Sequence, residues 1–430
     1  MTTHNAIILL LGSFTFLLVL RLPIAFCLGV SSVITAFFLG LPIPTLFQRM
    51  VNGVESFNLL AIPFFILAGE IMSQGGISDR LIRMADCLVG RMRGGLSQVN
   101  ILASTFFGGI SGSAVADTSS IGSMLIPMMK KSGYDTDFSV AVTVTSSCQG
   151  VLIPPSHNMI LFSLAAGGVS IGRLFLGGLV PGLLLGVSLM VTSYIIAVKR
   201  NYPRGKKIPF KEMLAAVWNA FAGLLTCLII IFGVIFGWYT ATESAAIAVV
   251  YAFVVTFFLY REIPLKQILP ILKRSLRTIA IVLSLIATAS MFGWLLAYLK
   301  VPTLITRALL TVSDNKIVIL LLINIMCLVL GCIMDMGPLI LILTPILLPV
   351  CQSFGMAPVH FGSMLILNLA IGLCTPPVGA ALFVGCSIGK IKIEQVTKAC
   401  LPFYAAMIVT LLLVTFVPGL VMAVPNVLMK

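Results

Sequence analysis

Residues 150–155 read Gly-Val-Leu-Ile-Pro-Pro, and residues 372–377 read Gly-Leu-Cys-Thr-Pro-Pro. Each sits inside a long apolar stretch, 137–168 and 359–390 respectively. A tandem proline removes two amide donors and frees the carbonyls one turn earlier. The spacing therefore predicts two helices broken at equivalent places. In a lipid environment such a break is tolerated only where the backbone is buried in protein or lines a cavity.

The surroundings are those of a membrane. The chain has 430 residues, 59% hydrophobic and 9% charged, with a mean hydropathy of +1.14. A soluble domain carries about 25% charged residues, so this chain cannot cover itself with a wetted surface and reads as an all-α polytopic membrane protein. The net charge of +14 does not point to nucleic acid, because the basic residues stand singly or in short groups between apolar runs, as topology signals do. Ten cysteines lie mostly within apolar segments with no C-x-x-C pair, which supports neither a disulfide framework nor a zinc site. The first run, 6–20, lacks a basic n-region and a small-residue cleavage site and reads as a retained span.

Spanning runs fall at 6–20, 22–40, 59–73, 176–198, 213–237, 243–260, 277–298 and 402–425. Stretches 96–131 and 316–351 read as re-entrant hairpins, and 77–93 and 301–314 as amphipathic interfacial arms. The chain repeats itself at an offset of 217 to 222 residues: Asp117 and Pro127 pair with Asp335 and Pro345, Pro154-Pro155 with Pro376-Pro377, Ser170–Arg173 with Ser387–Lys390, Pro181 with Pro402, and Arg21–Pro23 with Ala241–Glu243. The division is a first repeat over 1–200, a cytoplasmic basic linker at 201–212, and a second repeat over 213–430. Each half then holds five spans, one of them broken, and one hairpin, so the second half is inverted. With the N-terminus outside, 21 of 27 Lys and Arg fall on the inner side, leaving Arg49, Arg173, Lys300, Arg307, Lys316 and Lys430 outside. Both termini are expected in the periplasm. Inverted repeats with discontinuous helices meeting near the midplane are the architecture of secondary transporters.

The first hairpin tip, Gly109-Ile110-Ser111-Gly112-Ser113-Ala114-Val115-Ala116-Asp117-Thr118, combines small residues with hydroxyls and a carboxylate. An ionisable residue at this depth is a functional candidate; the plainer reading is that Asp117 caps the returning half-helix. The second tip, Gly331–Pro338, is poorer in hydroxyls, with Asp335 before a half-helix and Pro338 in its first turn. Carbonyls freed by the prolines, beside Ser111 and Ser113 or beside Asp335, form the hard-oxygen set a sodium ion needs; the competing reading is two plain proline kinks. Ser156, His157 and Asn158 follow the first proline pair and, with Asp117, stand where they would face or gate a substrate. A lone histidine beside a break is nonetheless more often a packed one. Glu70 and Glu243 read as interface or capping groups. Neither G-x-x-x-x-G-K-[ST] nor H-E-x-x-H occurs, so neither P-loop hydrolysis nor zincin chemistry is expected. The chain reads as a carrier driven by an ion gradient or a partner, with no organic cofactor.

SGSAVAD at 111–117, IPMMKKSGYD at 126–135, LAIPFFILAGEIM at 60–72, LIPPS at 152–156, TESAAIAVVYA at 242–252, LILTPILLP at 341–349 and GLCTPPVG at 372–379 resemble the large membrane subunit of tripartite ATP-independent periplasmic (TRAP) transporters, the DctM-like family, across nearly the whole chain. The resemblance implies an elevator-type fold in the bacterial inner membrane. It implies sodium-coupled uptake of an organic acid such as a dicarboxylate, a sialic acid or another sugar acid. It also implies two partners, a small four-span membrane subunit and a periplasmic substrate-binding protein. Carried over residue by residue, a first sodium site falls on Ser111, Ser113, Gly150, Ile153 and Pro155, and a second on Gly331, Asp335, Gly372, Thr375 and Pro377. The chain departs from the family at His157-Asn158, where an aliphatic-proline pair is expected, and at Cys374, a usually aliphatic position. Two other readings remain: a stand-alone sodium- or proton-coupled anion transporter of related fold, and, remotely, an intramembrane aspartyl protease using Asp117 and Asp335, whose sequence contexts do not match that class.

Overall fold

The structure, a computed structural model, describes residues 2–205, 208–313 and 315–429. Lys206 and Lys207 of the linker, Asp314 at the end of the second arm, and Lys430 lie outside the described residues. The first half runs α1 (Thr2–Val19), α2 (Ile24–Leu39), α3 (Ile43–Val54), α4 (Ala61–Gln74), α5 (Ile77–Val89), α6 (Gly95–Ser111), α7 (Ala114–Lys131), α8 (Thr136–Ser147), α9 (His157–Ala165) and α10 (Ile171–Lys199). The second runs α11 (Phe210–Ile235), α12 (Ala241–Val254, continued by a π turn over Val255–Leu259), α13 (Ile268–Tyr298), α14 (Val301–Val312), α15 (Lys316–Ile333), α16 (Met336–Ser353), α17 (Pro358–Leu373), α18 (Ala380–Gly389), α19 (Ile393–Phe416) and α20 (Pro418–Leu428).

From α5 onward the two series keep step. The paired starts of α5/α14, α6/α15, α7/α16, α8/α17, α9/α18 and α10/α19 are 224, 221, 222, 222, 223 and 222 residues apart. This register corrects three of the pairings read from matching letters. Asp335 is the residue before α16, so its counterpart is Ser113, the residue before α7, while Asp117 is the fourth residue of α7. Pro127 lies fourteen residues into α7 and matches Pro349 in α16, not Pro345. Ser170 opens α10, whereas Ser387 lies within α18. A hydroxyl and a carboxylate both serve the start of a helix, so aligning aspartate with aspartate slips the hairpin by four residues, about one turn.

Two further expectations change. The amphipathic helix α3 fills the interval between the runs 22–40 and 59–73, and with α4 it packs against the single 31-residue α13. The run 402–425 is two helices, because the chain turns extended at Val417 before Pro418 (φ −114°, ψ 86°), as the residue before a proline tends to. Among the described residues, seven helices are long and apolar enough to cross a membrane: α10, α11, α12 with its π turn, α13, α15, α16 and α19. Those seven include both arms of the second hairpin. A two-residue turn at 334–335 joins the two.

The helices sort into two packed groups. In one, α4 lies against α12, α13 against α2 and α3, and α11 against α5 and α12. Glu70 and Arg274 pair at 3.2 Å between α4 and α13, and Glu243 closes a capping box with Thr240 at the start of α12. In the other group each hairpin packs on both broken spans. The first hairpin's α7 touches α8 of its own half and α18 of the other, and the second's α16 touches α17 and α9. At the end of this body Arg200 reaches Asp135 at 2.9 Å and Asp137 at 3.1 Å, and the Tyr202 hydroxyl donates to Asp135 at 2.6 Å. Tyr202 and the Arg200 guanidinium hold the Asp135 carboxyl below its ordinary range. The stability this gives is present at neutral pH and lost as pH falls through that depressed value.

Glycines set the closeness of the hairpin arms. A Cβ on Gly108 would lie 2.3 Å from Gly150 Cα, and one on Gly372 2.5 Å from the carbonyl carbon of Gly331. Around Gly293, in the last two turns of α13, nothing lies within 4 Å. Gly108→Ala and Gly372→Ala should each cost about 1–3 kcal/mol through overpacking, while Gly293→Ala should be neutral or slightly stabilising. Thermal unfolding of the purified chain in detergent separates the two outcomes.

Candidate functional site

The site is built from two tips laid over two breaks. At the first tip α6 ends on Gly112 in the left-handed region (φ +61°), and α7 starts after Ser113, whose hydroxyl accepts from the Ala116 amide at 3.4 Å. Capping at this tip is thus done by Ser113 and not by Asp117. The Ser111 hydroxyl sits between the amide and carbonyl of Ser113, at 3.3 and 3.4 Å.

The first break follows from carbonyl accounting. After α8 the chain makes a 3-10 turn over Cys148–Val151, then passes Pro154-Pro155, joined by a cis peptide, and restarts at His157. Pro154 has no amide to give the Gly150 carbonyl, and Pro155 none for Val151. The Ser156 hydroxyl replaces the second donor, reaching Val151 O at 2.7 Å. Among the described residues no hydrogen bond reaches the carbonyls of Ile153 or Pro155.

The tip is pressed onto this break. A Cβ on Gly109 would be 3.1 Å from Pro154 O and 3.6 Å from Ile153 Cγ2; one on Gly112 would be 3.3 Å from Pro155 O and 3.2 Å from His157 Nδ1. Asn158 donates to Gly112 O at 3.2 Å, locking α9 to the tip. Ser111, Ser113, Gly150, Ile153 and Pro155, scattered over 45 residues of sequence, therefore share one neighbourhood.

Asp117 lies behind that neighbourhood. It is fully buried, and neither carboxylate oxygen has a hydrogen-bond partner among the described residues. Its Oδ2 is 3.9 Å from where a Gly150 Cβ would stand. An ionised carboxylate without a partner in a dry interior costs several kcal/mol, so this group needs a cation or a proton. Ser156 is also fully buried, and Asn158 is 2% exposed; both support the break, while His157 alone of this trio is partly open to the surface.

The second tip repeats the theme with different groups. Gly331 lies on Gly372 as Gly108 lies on Gly150, and the Val378 amide donates to Cys332 O at 3.0 Å, tying break to tip. Asp335 stands exposed before α16 and makes no capping bond. Thr375 gives its hydroxyl to Ile371 O at 2.7 Å and its amide to Gly372 O at 3.0 Å. The Tyr404 hydroxyl of α19 donates to Cys374 O at 2.5 Å. Thus Gly331, Gly372 and Thr375 come together, with Asp335 and Pro377 at the exposed rim. The second break keeps fewer unpaired carbonyls than the first. Among the described residues no three His, Cys, Asp or Glu side chains cluster, so hydroxyl and carbonyl oxygens are the donor type this site offers, as a hard monovalent cation prefers.

Sequence reading missed Gly108, whose only signal is its place four residues before Gly112. It also missed the link between the two breaks, where Cys148 Sγ donates to Ala370 O at 3.0 Å and Cys374 Sγ to Val144 O at 3.2 Å.

Residues 11–420 match the family described as the DctM component of tripartite ATP-independent periplasmic transporters. The chain belongs to that family. Among its relatives, the sialic acid TRAP transporter large permease protein SiaM of Vibrio cholerae is 40% identical over 379 residues, 88% of each chain. The C4-dicarboxylate TRAP transporter large permease protein DctM of Rhodobacter capsulatus is 34% identical over 435 residues, 98% of this chain and 99% of the relative. In fold, the chain resembles the YdaH transporter of Alcanivorax borkumensis, with a TM-score of 0.66 at 14% identity over 88% of this chain and 89% of that one. This DctM-family chain is accordingly a multi-pass transporter subunit and not an enzyme, and the aspartyl-protease reading falls. In such a subunit Ser156 holds the break together. Ser156→Ala should lower the unfolding temperature, by the roughly 1–3 kcal/mol of an unsatisfied buried carbonyl, and leave substrate competition in uptake assays unchanged.

Proposed function

We propose that this subunit carries an organic acid, delivered by a periplasmic binding protein, across the bacterial inner membrane with sodium ions as the coupling cargo. One observation supports this most: each hairpin tip lies, glycine on glycine, against a Gly-x-x-x-Pro-Pro break. At the first, Ser111 and Ser113 stand beside the unpaired carbonyls of Ile153 and Pro155, with the unpartnered carboxylate of Asp117 behind them. Those residues would hold one sodium ion; Gly331, Asp335, Gly372, Thr375 and Pro377 would line a second. Half-helices restarting at Ala114, His157, Met336 and Ala380 bring positive dipole ends to the same region, which favours a carboxylate substrate.

The motion that fits this packing is an elevator. Hairpins and broken spans interlock across the two halves, α7 with α18 and α16 with α9, so they move as one body against the group containing α2, α4, α12 and α13. In our reading the two halves are inverted repeats, both termini are periplasmic, and the small four-span subunit covers the exposed flank of the static group. Relatives whose names specify a sialic acid and a C4-dicarboxylate support a small organic acid as the substrate class.

Sodium sites at the breaks have a test that needs no substrate. A ligand of the folded state stabilises it by RT ln(1 + [L]/Kd). Unfolding temperature should rise in sodium chloride over potassium and choline chloride at matched ionic strength. That difference should shrink in Ser113→Ala, Asp117→Asn and Thr375→Ala. Equal stability of the parent chain in all three salts would defeat the sodium assignment.

A separate expectation concerns His157, which touches the first tip where the family pattern departs. With the partner subunit and binding protein reconstituted, His157→Ala should change the relative uptake of competing organic acids more than the sodium dependence. An unaltered competition profile would return His157 to a packing role.

A further inference from the structure

A cavity of about 700 Å3 lies between the arm helix α5, the first half of α11 and the segment after α12. One wall is already fixed. The Arg80 guanidinium reaches Glu262 at 2.7 Å, donates to Gly76 O at 2.9 Å and stacks 3.7 Å over the Tyr260 ring. The Tyr260 hydroxyl in turn donates to Asn219 O at 2.7 Å. The charge of Arg80 is therefore taken.

Asp79 and Arg83 are not taken. They sit four residues apart on one face of α5 and both line the cavity. Such a pair ordinarily closes on an exposed helix, with Cβ atoms about 5–6 Å apart. Here neither side chain has a hydrogen bond or ion pair among the described residues, and both are exposed. The opposite face of α5, with Leu81, Ile82 and Ala85, is buried, so the two charges are held outward on a fixed platform. Across from them stand Trp218, 76% exposed, and Phe221, 43% exposed, with rings stacked at 6.0 Å and 5°. Exposed amphipathic rings beside basic groups mark the depth of lipid headgroups, and Arg91, Arg93, Arg261 and Lys266 lie close in sequence to these walls.

We propose that this cavity seats the headgroup of a membrane phospholipid bearing a primary amine. Its phosphate lies on the Arg83 guanidinium and its ammonium on the Asp79 carboxylate. A two-carbon spacer between phosphate and ammonium suits two opposite charges one helical turn apart. The glycerol and first acyl carbons rest on Trp218 and Phe221. The guanidinium fork is the group that binds phosphate in two-point fashion, and a free carboxylate beside it selects ammonium over trimethylammonium, which has no N–H to donate. A lipid held there ties the arm preceding the first hairpin to α11.

The test uses the full chain in detergent doped with phosphatidylethanolamine, phosphatidylcholine or phosphatidylglycerol, with retained lipid counted by native mass spectrometry. Phosphatidylethanolamine should be retained best. Arg83→Gln should weaken retention of all three about tenfold. Asp79→Asn should reduce phosphatidylethanolamine to the level of phosphatidylcholine and leave phosphatidylglycerol unaffected. Both side chains are exposed and unpaired, so the variants should unfold at the parent's temperature; Arg83→Lys, which keeps the charge and loses the fork, gives an intermediate result if Arg83→Gln folds poorly. Equal retention of the ethanolamine and choline lipids, or retention indifferent to both substitutions, overturns the proposal. So does saturation by inorganic phosphate or phosphoethanolamine with no lipid preference, which would make this a soluble-anion site. Loss of lipid on adding the small membrane subunit would assign the cavity to that partner instead.

Discussion

Backbone touching backbone is the contact on which the rest of this structure depends. Gly108 lies on Gly150 and Gly331 on Gly372, at distances that leave no room for a β-carbon. Helices separated by larger side chains would stand 8–10 Å apart at their axes. The paired glycines let each hairpin sink onto the break of its neighbouring helix, and the polar groups of tip and break then face one another. In lipid, small residues are also the usual means of helix association, because apolar burial alone gives helices no preference for one another over acyl chains.

Once that contact is made, the proline pairs acquire a meaning they lack in isolation. A proline kink in a single helix leaves carbonyls that a neighbour or water must satisfy. At the first break the protein answers only part of that demand, with the Ser156 hydroxyl on Val151 O, and leaves Ile153 and Pro155 open beside two serines. At the second break more is answered internally, by Thr375 and Tyr404. Matching architecture thus yields two unequal sites: the first sets two hydroxyls beside its free carbonyls, and the second has the Gly372 and Cys374 carbonyls already bonded. The buried, unpartnered Asp117 has no counterpart in the second half, where Asp335 stands exposed one helical turn earlier in register.

The same interlocking explains why the two halves are not separate modules. Lys130 of the first hairpin donates to Gly389 O in the second broken span at 3.4 Å, and the two broken spans meet where Cys148 Sγ donates to Ala370 O and Cys374 Sγ to Val144 O. Each hairpin thus packs against both broken spans. The cavity beside α5 lies where the arm meets α11.

Much was legible from the chain alone, because hydropathy, proline and glycine act locally. The polytopic class followed from 9% charged residues, the two hairpins and two breaks from where the apolar runs are interrupted, and the family from motifs spread along the whole length. The register in which the two helix series keep step was not legible, since Ser113 and Asp335 hold the same place before a returning helix with different letters, and only backbone position equates them. Helix α3 escaped because an amphipathic segment of 12 residues carries no spanning signal. Whether Asp117 caps a helix or lies orphaned, whether Ser156 faces a ligand or a carbonyl, and which charges on α5 remain free are matters of which neighbours arrive from distant segments. Those were decided by tertiary packing, since a hydrogen bond joins positions in space and residues far apart along the chain leave no local trace of it.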